Sequence, residues 1–210
     1  MRLADLRNAT IAGTDSGFGF GYSSVNCYEL SSDVHGTVDG APLSFDVGGL
    51  QAAPDATFCA DILVNFPGSL ANHAVTSVEL SDGDTTWRFG VERLAPSQWT
   101  VTSPLDAVEG SDFTVGFAPT PPSVALERVF ITPSEIYISP FDGTPAAGTN
   151  TVHIDAGYWS GEDEPGSGGP VHGTVAIQVG PLAVDGCPVS SCEFSAQTPA
   201  PAQPVTIVVP

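Results

Sequence analysis

Four cysteines, four histidines, 24 acids and one Tyr-Trp dipeptide are the side chains from which chemistry could be built in this chain of 210 residues. No two of Cys27, Cys59, Cys187 and Cys192 form a C-x-x-C pair, and no histidine lies at ligand spacing from two of them, which argues against zinc. An even count in a lysine-free chain rich in Gly, Pro, Ser and Thr fits disulfides formed in an oxidising compartment. Three pairings are open, and sequence order favours Cys27–Cys59 with Cys187–Cys192. Those loops contribute about 3.7 and about 2 kcal/mol in the chain-entropy account. Fifteen of the acids are Asp, and hard oxygen donors on loops between strands suit calcium. The candidate donors are Asp82 and Asp84 in one turn, and Glu162, Asp163 and Glu164 in another. Neither group has the spacing of an EF-hand, and Asp-Gly is also ordinary hairpin-turn chemistry, which accounts for Asp39 and Asp82 without a metal. No cofactor is expected beyond that calcium candidate. His153 falls on the polar face of its strand by alternation, and a metal shared with His172 would require two strands to meet. Tyr158-Trp159 precedes the acidic loop. Exposed, the pair can stack on a sugar ring; packed, Trp159 plugs the open end of a sandwich.

The run Gly166-Ser-Gly-Gly-Pro-Val171 resembles the nucleophile loop of chymotrypsin-like serine proteases, Gly-Asp-Ser-Gly-Gly-Pro. That resemblance implies Ser167 as a nucleophile beside a backbone oxyanion hole. The departures outweigh it. Gly166 stands where the family has Asp, Pro165 where it has Gly, and neither His35 nor His73 lies in the family's base segment. Residues 162–170 read instead as an acidic loop of Gly, Ser and Pro. The expectation is a protein that is not an enzyme, with serine hydrolysis at Ser167 as a distant third function.

Composition narrows the partners. The formal net charge is −19, from 24 Asp+Glu against 5 Lys+Arg, and all five bases are arginine. No basic patch can be assembled to neutralise phosphates, which excludes nucleic acid and an anionic membrane surface as partners. The carboxylate content is ordinary and the lysines are missing, so the charge speaks for solubility rather than for a site. A hydrophobic fraction of 41% predicts a folded core. No stretch approaches the roughly 18 apolar residues of a membrane span. Met1–Thr10 has no apolar signal core, so an exported chain is expected here in its mature form, from a secreted or cell-envelope protein.

The elements that position these residues are strands. Period-2 alternation recurs between turn signals, and helical periodicity is almost absent. Val34–Val38 and Leu43–Val47 are joined through Asp39-Gly40, a strong hairpin signal. Ala60–Phe66 places Ile62, Val64 and Phe66 inward; Val75–Leu80 turns at Asp82-Gly83 into Thr86–Glu92, with Trp87, Phe89 and Val91 on one face. Further alternating runs follow from Trp99 to Val209, for about fourteen or fifteen strands, roughly twice the number in one seven-stranded sandwich. Gly13–Tyr22, alternating glycine with aromatics, reads as a close-packed strand or bulge. A division near Leu94–Ser97 gives modules 1–95 and 96–210, each with one cysteine pair; one larger sandwich is the alternative.

The run Trp99-Thr-Val-Thr-Ser-Pro104, then Val108-Glu-Gly110, then Phe113-Thr-Val115 resembles the opening strands of bacterial immunoglobulin-like surface modules. The resemblance covers residues 97–210 and rests on turn chemistry and alternation. It implies a β-sandwich used as a spacer, adhesion or assembly unit, and it brings over no functional residue. The expectation is therefore all-β: two tandem immunoglobulin-like sandwiches in a non-catalytic secreted or cell-envelope protein. Its partner is a protein or glycan at a cell surface, with carbohydrate binding through Tyr158 and Trp159 as the alternative.

Overall fold

Alternation turns directly into strands. Val78 and Leu80, and across the turn Trp87, Phe89 and Val91, are all buried in the computed structural model. The structure describes residues 1–14, 16–21, 27–53, 56–67, 74–92, 100–102, 106–118, 124–134, 138–159, 170–197 and 203–210. The chain folds into two compact units, Met1–Ala95 with Pro181–Ala196 and Pro96–Gly180 with Gln197–Pro210.

The first unit begins with a 3₁₀ turn at Leu3–Leu6, whose two leucines are buried. Its strands in chain order are β1 (Thr10–Thr14), β2 (Gly17–Gly21), β3 (His35–Val38), β4 (Ala41–Pro42), β5 (Ser44–Ala53), β6 (Ala56–Asn65), β7 (Val75–Ser81) and β8 (Thr86–Glu92). Within the second unit lie β9 (Thr100–Val101), β10 (Asp106–Val108), β11 (Asp112–Thr114), β12 (Phe117–Ala118), β13 (Ala125–Pro133), β14 (Phe141–Gly143), β15 (Thr151–His153) and most of β16 (Val171–Leu182). The chain then returns to the first unit for β17 (Val184–Asp185) and β18 (Ser191–Gln197), and ends in the second with β19 (Gln203–Val208).

In the first unit, one sheet has the order β18-β1-β2-β6-β5 and the other β17-β8-β7-β3-β4. Asp39 and Gly40 both take positive φ, 49° and 82°, as the two-residue turn between β3 and β4 requires. The chain then leaves that sheet, and β5 pairs with β6 in the other. Aromatic side chains fill the space between the sheets. Phe18 lies edge-on to Phe89 at 5.8 Å and to Phe194 at 5.9 Å, and Phe20 meets Trp87 at 6.4 Å. The expected packing of Gly13–Tyr22 is seen in β1 and β2, where a Cβ on Gly13 would come within 2.5 Å of the Phe194 ring. Tyr22 and Trp99 lie outside the described residues.

The second unit is built on the sheet β10-β19-β16-β13-β14, with two short ladders, β11–β15 and β9–β12. Its core is mainly aliphatic, with Val129, Ile131, Val175, Ile177 and Ile207 almost fully buried. The protein is thus all-β, with open sheets as in β-sandwiches. A single cut into 1–95 and 96–210 gives each module one cysteine pair, whereas the return of Pro181–Ala196 puts both pairs in the first unit. That return rests on long-range pairing: β18 runs parallel to β1 from Ser191 opposite Thr10, and β17 adds antiparallel to β8.

Candidate functional site

The cysteines pair as sequence order favours, Cys27 with Cys59 and Cys187 with Cys192, and none is free. Both bridges fit an oxidising environment. Among the described residues, no helix is long and apolar enough to cross a membrane.

The carboxylate of Asp82 is turned into the protein and works as a turn anchor. It is 5% exposed and accepts three backbone N–H bonds: Leu3 at 2.9 Å, Thr85 at 2.8 Å and Asp84 at 3.2 Å. Burial disfavours its charge, yet the bonds from Thr85, Leu3 and Asp84, with the nearby Arg2, outweigh burial and hold its pKa below the ordinary aspartate value. Asp84 is ion-paired with Arg2, which also approaches Asp33 at 3.8 Å. The turn therefore uses these two acids to tie the N-terminal 3₁₀ turn to the β7–β8 hairpin. Among the described residues, no group of three or more His, Cys, Asp or Glu side chains stands where it could hold a metal. Glu162, Asp163, Glu164 and Ser167 lie outside the described residues.

Tyr158 and Trp159 belong to an aromatic cluster of the second unit with Phe141. Phe141 is 5.5 Å from Tyr158 and 6.2 Å from Trp159, and the pair's own rings meet edge-on at 5.2 Å. Their polar tips are engaged by backbone: the Tyr158 hydroxyl donates to Pro140 O at 2.5 Å and Trp159 Nε1 to Ser139 O at 2.9 Å. The Trp159 amide donates to Oε1 of the buried Glu109 at 2.6 Å. Tyr158 keeps 38% of its surface exposed and Trp159 is half-buried. His153, on the exposed face of β15, pairs with Asp112 across the ladder at 2.8 Å, and His172 is exposed on β16.

The most open apolar surface is elsewhere, on the β5–β6 hairpin. Of eight exposed large apolar side chains among the described residues, four lie here: Leu50 (68%), Phe58 (49%), Leu63 (41%) and Val47 (40%). An open groove of about 620 Å³ runs over the hairpin, lined by residues that include Phe45, Val47, Phe58 and Leu63, with Asp46 and Asp61 among them. Two glycines shape it. Gly48 and Gly49 take φ of 74° and 92° in the middle of β5, and a Cβ on Gly48 would approach Ile62 Cγ1 to 2.8 Å and Tyr28 O to 2.9 Å. That close approach lets the 28–30 segment lie on the hairpin, where Glu29 bridges Gly48 and Leu30 N donates to Val47 O at 2.7 Å. The Cys27–Cys59 bridge fastens the same segment to β6.

Alternation alone does not reveal this surface. It puts Leu43, Phe45 and Val47 on one face, and of these Phe45 is half-buried and Val47 is exposed. The available signal was an interruption of alternation: Ile62-Leu63-Val64 is apolar on both faces, and Gly48-Gly49 breaks a strand pattern. No family model, curated protein or solved structure matches this chain.

Proposed function

We propose that this chain is a non-catalytic, secreted or cell-envelope protein of two immunoglobulin-like β-sandwich units that acts by binding another molecule at a surface. The observation that carries the reading is the set of exposed apolar side chains on the β5–β6 hairpin, Val47, Leu50, Phe58 and Leu63, on a hairpin tied to the 28–30 segment by the Cys27–Cys59 bridge. Folded proteins cover most of their large apolar side chains, and four left open on one hairpin mark it as an interaction element. Nile red, a neutral dye that fluoresces on apolar surfaces, tests these hairpin side chains in the full chain. The native protein enhances its fluorescence, and the Leu50→Ser/Phe58→Ser double variant loses most of that enhancement at an unchanged melting temperature. Equal enhancement by the variant overturns the reading. The non-catalytic part predicts no labelling by a serine-directed fluorophosphonate, and labelling at Ser167 contradicts it.

The exposure of Tyr158 favours one second reading, a glycan contact at Tyr158 and Trp159. Binding on a glycan array that Tyr158→Ala abolishes supports it, and an array with no binding removes it.

A further inference from the structure

Of the chain's five asparagines, only Asn8 is followed two residues on by threonine or serine, in Asn8-Ala9-Thr10. Asn-x-Thr or Asn-x-Ser, with x other than Pro, is the acceptor pattern for N-linked glycan. The other four stand in Asn26-Cys-Tyr, Asn65-Phe-Pro, Asn72-His-Ala and Asn150-Thr-Val.

A bulky, polar glycan needs a surface position, and the fold provides one. Asn8 lies in the turn that joins Leu3–Leu6 to β1 and is exposed, whereas Leu6 and Ala9 are buried. Backbone bonds fix the turn around it. Ala9 N donates to Leu6 O at 2.9 Å, Ser190 N to Ala9 O at 3.2 Å, and the Ser190 hydroxyl to Arg7 O at 3.4 Å. Among the described residues the Asn8 side chain makes no hydrogen bond, so a substituent on its amide nitrogen costs the fold no contact. Thr10 is engaged in the folded chain, where Ser191 Oγ donates to its hydroxyl at 2.9 Å. Ser191 comes 181 residues later, so that hydroxyl is free while the chain is still being made. Both disulfides fit the oxidising compartment of exported proteins.

We propose that Asn8 is an acceptor for an N-linked glycan, transferred before folding from an oligosaccharide on a lipid pyrophosphate carrier. Asn8 Nδ2 attacks the anomeric carbon of the first sugar and forms the N–C bond. The bond from that carbon to the pyrophosphate oxygen breaks, lipid pyrophosphate leaves with the electron pair, and the amide gives one proton to a base of the transferase. Such transfer reaches only exported chains, so the proposal rests on the secreted or cell-envelope reading.

The test is to express the full chain behind a cleavable secretion signal in a eukaryotic secretory host, beside Asn8→Gln and Thr10→Ser. Intact mass of the secreted protein is read before and after treatment with peptide N-glycosidase. Wild type and Thr10→Ser carry a single glycan, and the enzyme removes it, leaving aspartate at residue 8. Peptide mapping of wild type places the glycan on the peptide that contains residues 8–10. Asn8→Gln reaches the medium with both bridges formed and no glycan. Wild type secreted with both bridges and no glycan overturns the acceptor and leaves the secreted reading standing. A glycan that survives Asn8→Gln also overturns the acceptor. A chain retained in the cell with its thiols free overturns the secreted reading, and the acceptor falls with it.

Discussion

In the first unit, the opening strand β1 runs parallel to β18 near the end of the chain; in the second, β10 runs parallel to the terminal β19. Each unit thus joins an early strand to a late one. They differ in what fills and fastens them. The first packs Phe18, Phe20, Phe66, Trp87, Phe89 and Phe194 against one another between strands of two sheets, and it holds both disulfides. The second buries mostly aliphatic side chains with Phe113, Phe117 and Phe141 among them, and in its cluster of Phe141, Tyr158 and Trp159 the polar tips are held by backbone carbonyls at 139 and 140. Outside its main sheet, its described ladders are only two or three residues long. One closing arrangement therefore tolerates very different fillings. The more heavily fastened unit is also the one that carries a hairpin of two ten-residue strands with apolar side chains in solvent.

Reduction should break the comparison most strongly. Loss of both bridges removes about 6 kcal/mol by the chain-entropy account, all of it from the first unit. Calorimetry with a reductant should show the first unit melting much earlier while the second unit's transition stays in place; an equal drop in both contradicts the division. Next comes Phe194→Ala. It opens the aromatic core and should cost about 3 to 5 kcal/mol in denaturant unfolding of the first unit. A loss below about 1 kcal/mol would show that the ring contacts carry little of the stability.

Asp82→Asn sharpens the comparison through pH. The folded-state pKa of Asp82 lies below its ordinary value of 3.8, so its contribution is complete above that value and is lost as pH falls through the lower folded value. The variant should lose about 2 kcal/mol at neutral pH, and its stability should fall less steeply than wild type below about pH 4. Parallel acid profiles would show that the three backbone bonds do not favour the ionised form. Thr76→Val has the opposite sign. The Thr76 hydroxyl is buried on β7 without a hydrogen-bond partner among the described residues, and replacing it with a methyl group should stabilise the first unit by about 1 kcal/mol in chemical denaturation.

How much of this was legible follows from how each feature is encoded. The β7–β8 hairpin was legible almost residue by residue, because alternation sets strand phase and Asp82-Gly83 sets the turn, with Gly83 at φ 87°. The disulfide pairing followed from sequence order. The return of β17 and β18 to the first unit was not legible: β1 meets β18 about 180 residues along the chain, and local periodicity carries no record of a strand's neighbour. The anchoring role of Asp82 was not legible, because its partner Leu3 N lies 79 residues away. The groove was hidden because Phe58 has the same strand phase as Ile62 and Val64, and only tertiary structure shows that the sandwich covers those two and leaves Phe58 open.

The most direct test of the binding surface is Nile red fluorescence of the full chain beside its Leu50→Ser/Phe58→Ser and Tyr158→Ala variants. The hairpin variant should lose most of the native enhancement and the Tyr158 variant should keep it. Loss in the Tyr158 variant with none in the hairpin variant would contradict the assignment of the surface to the first unit.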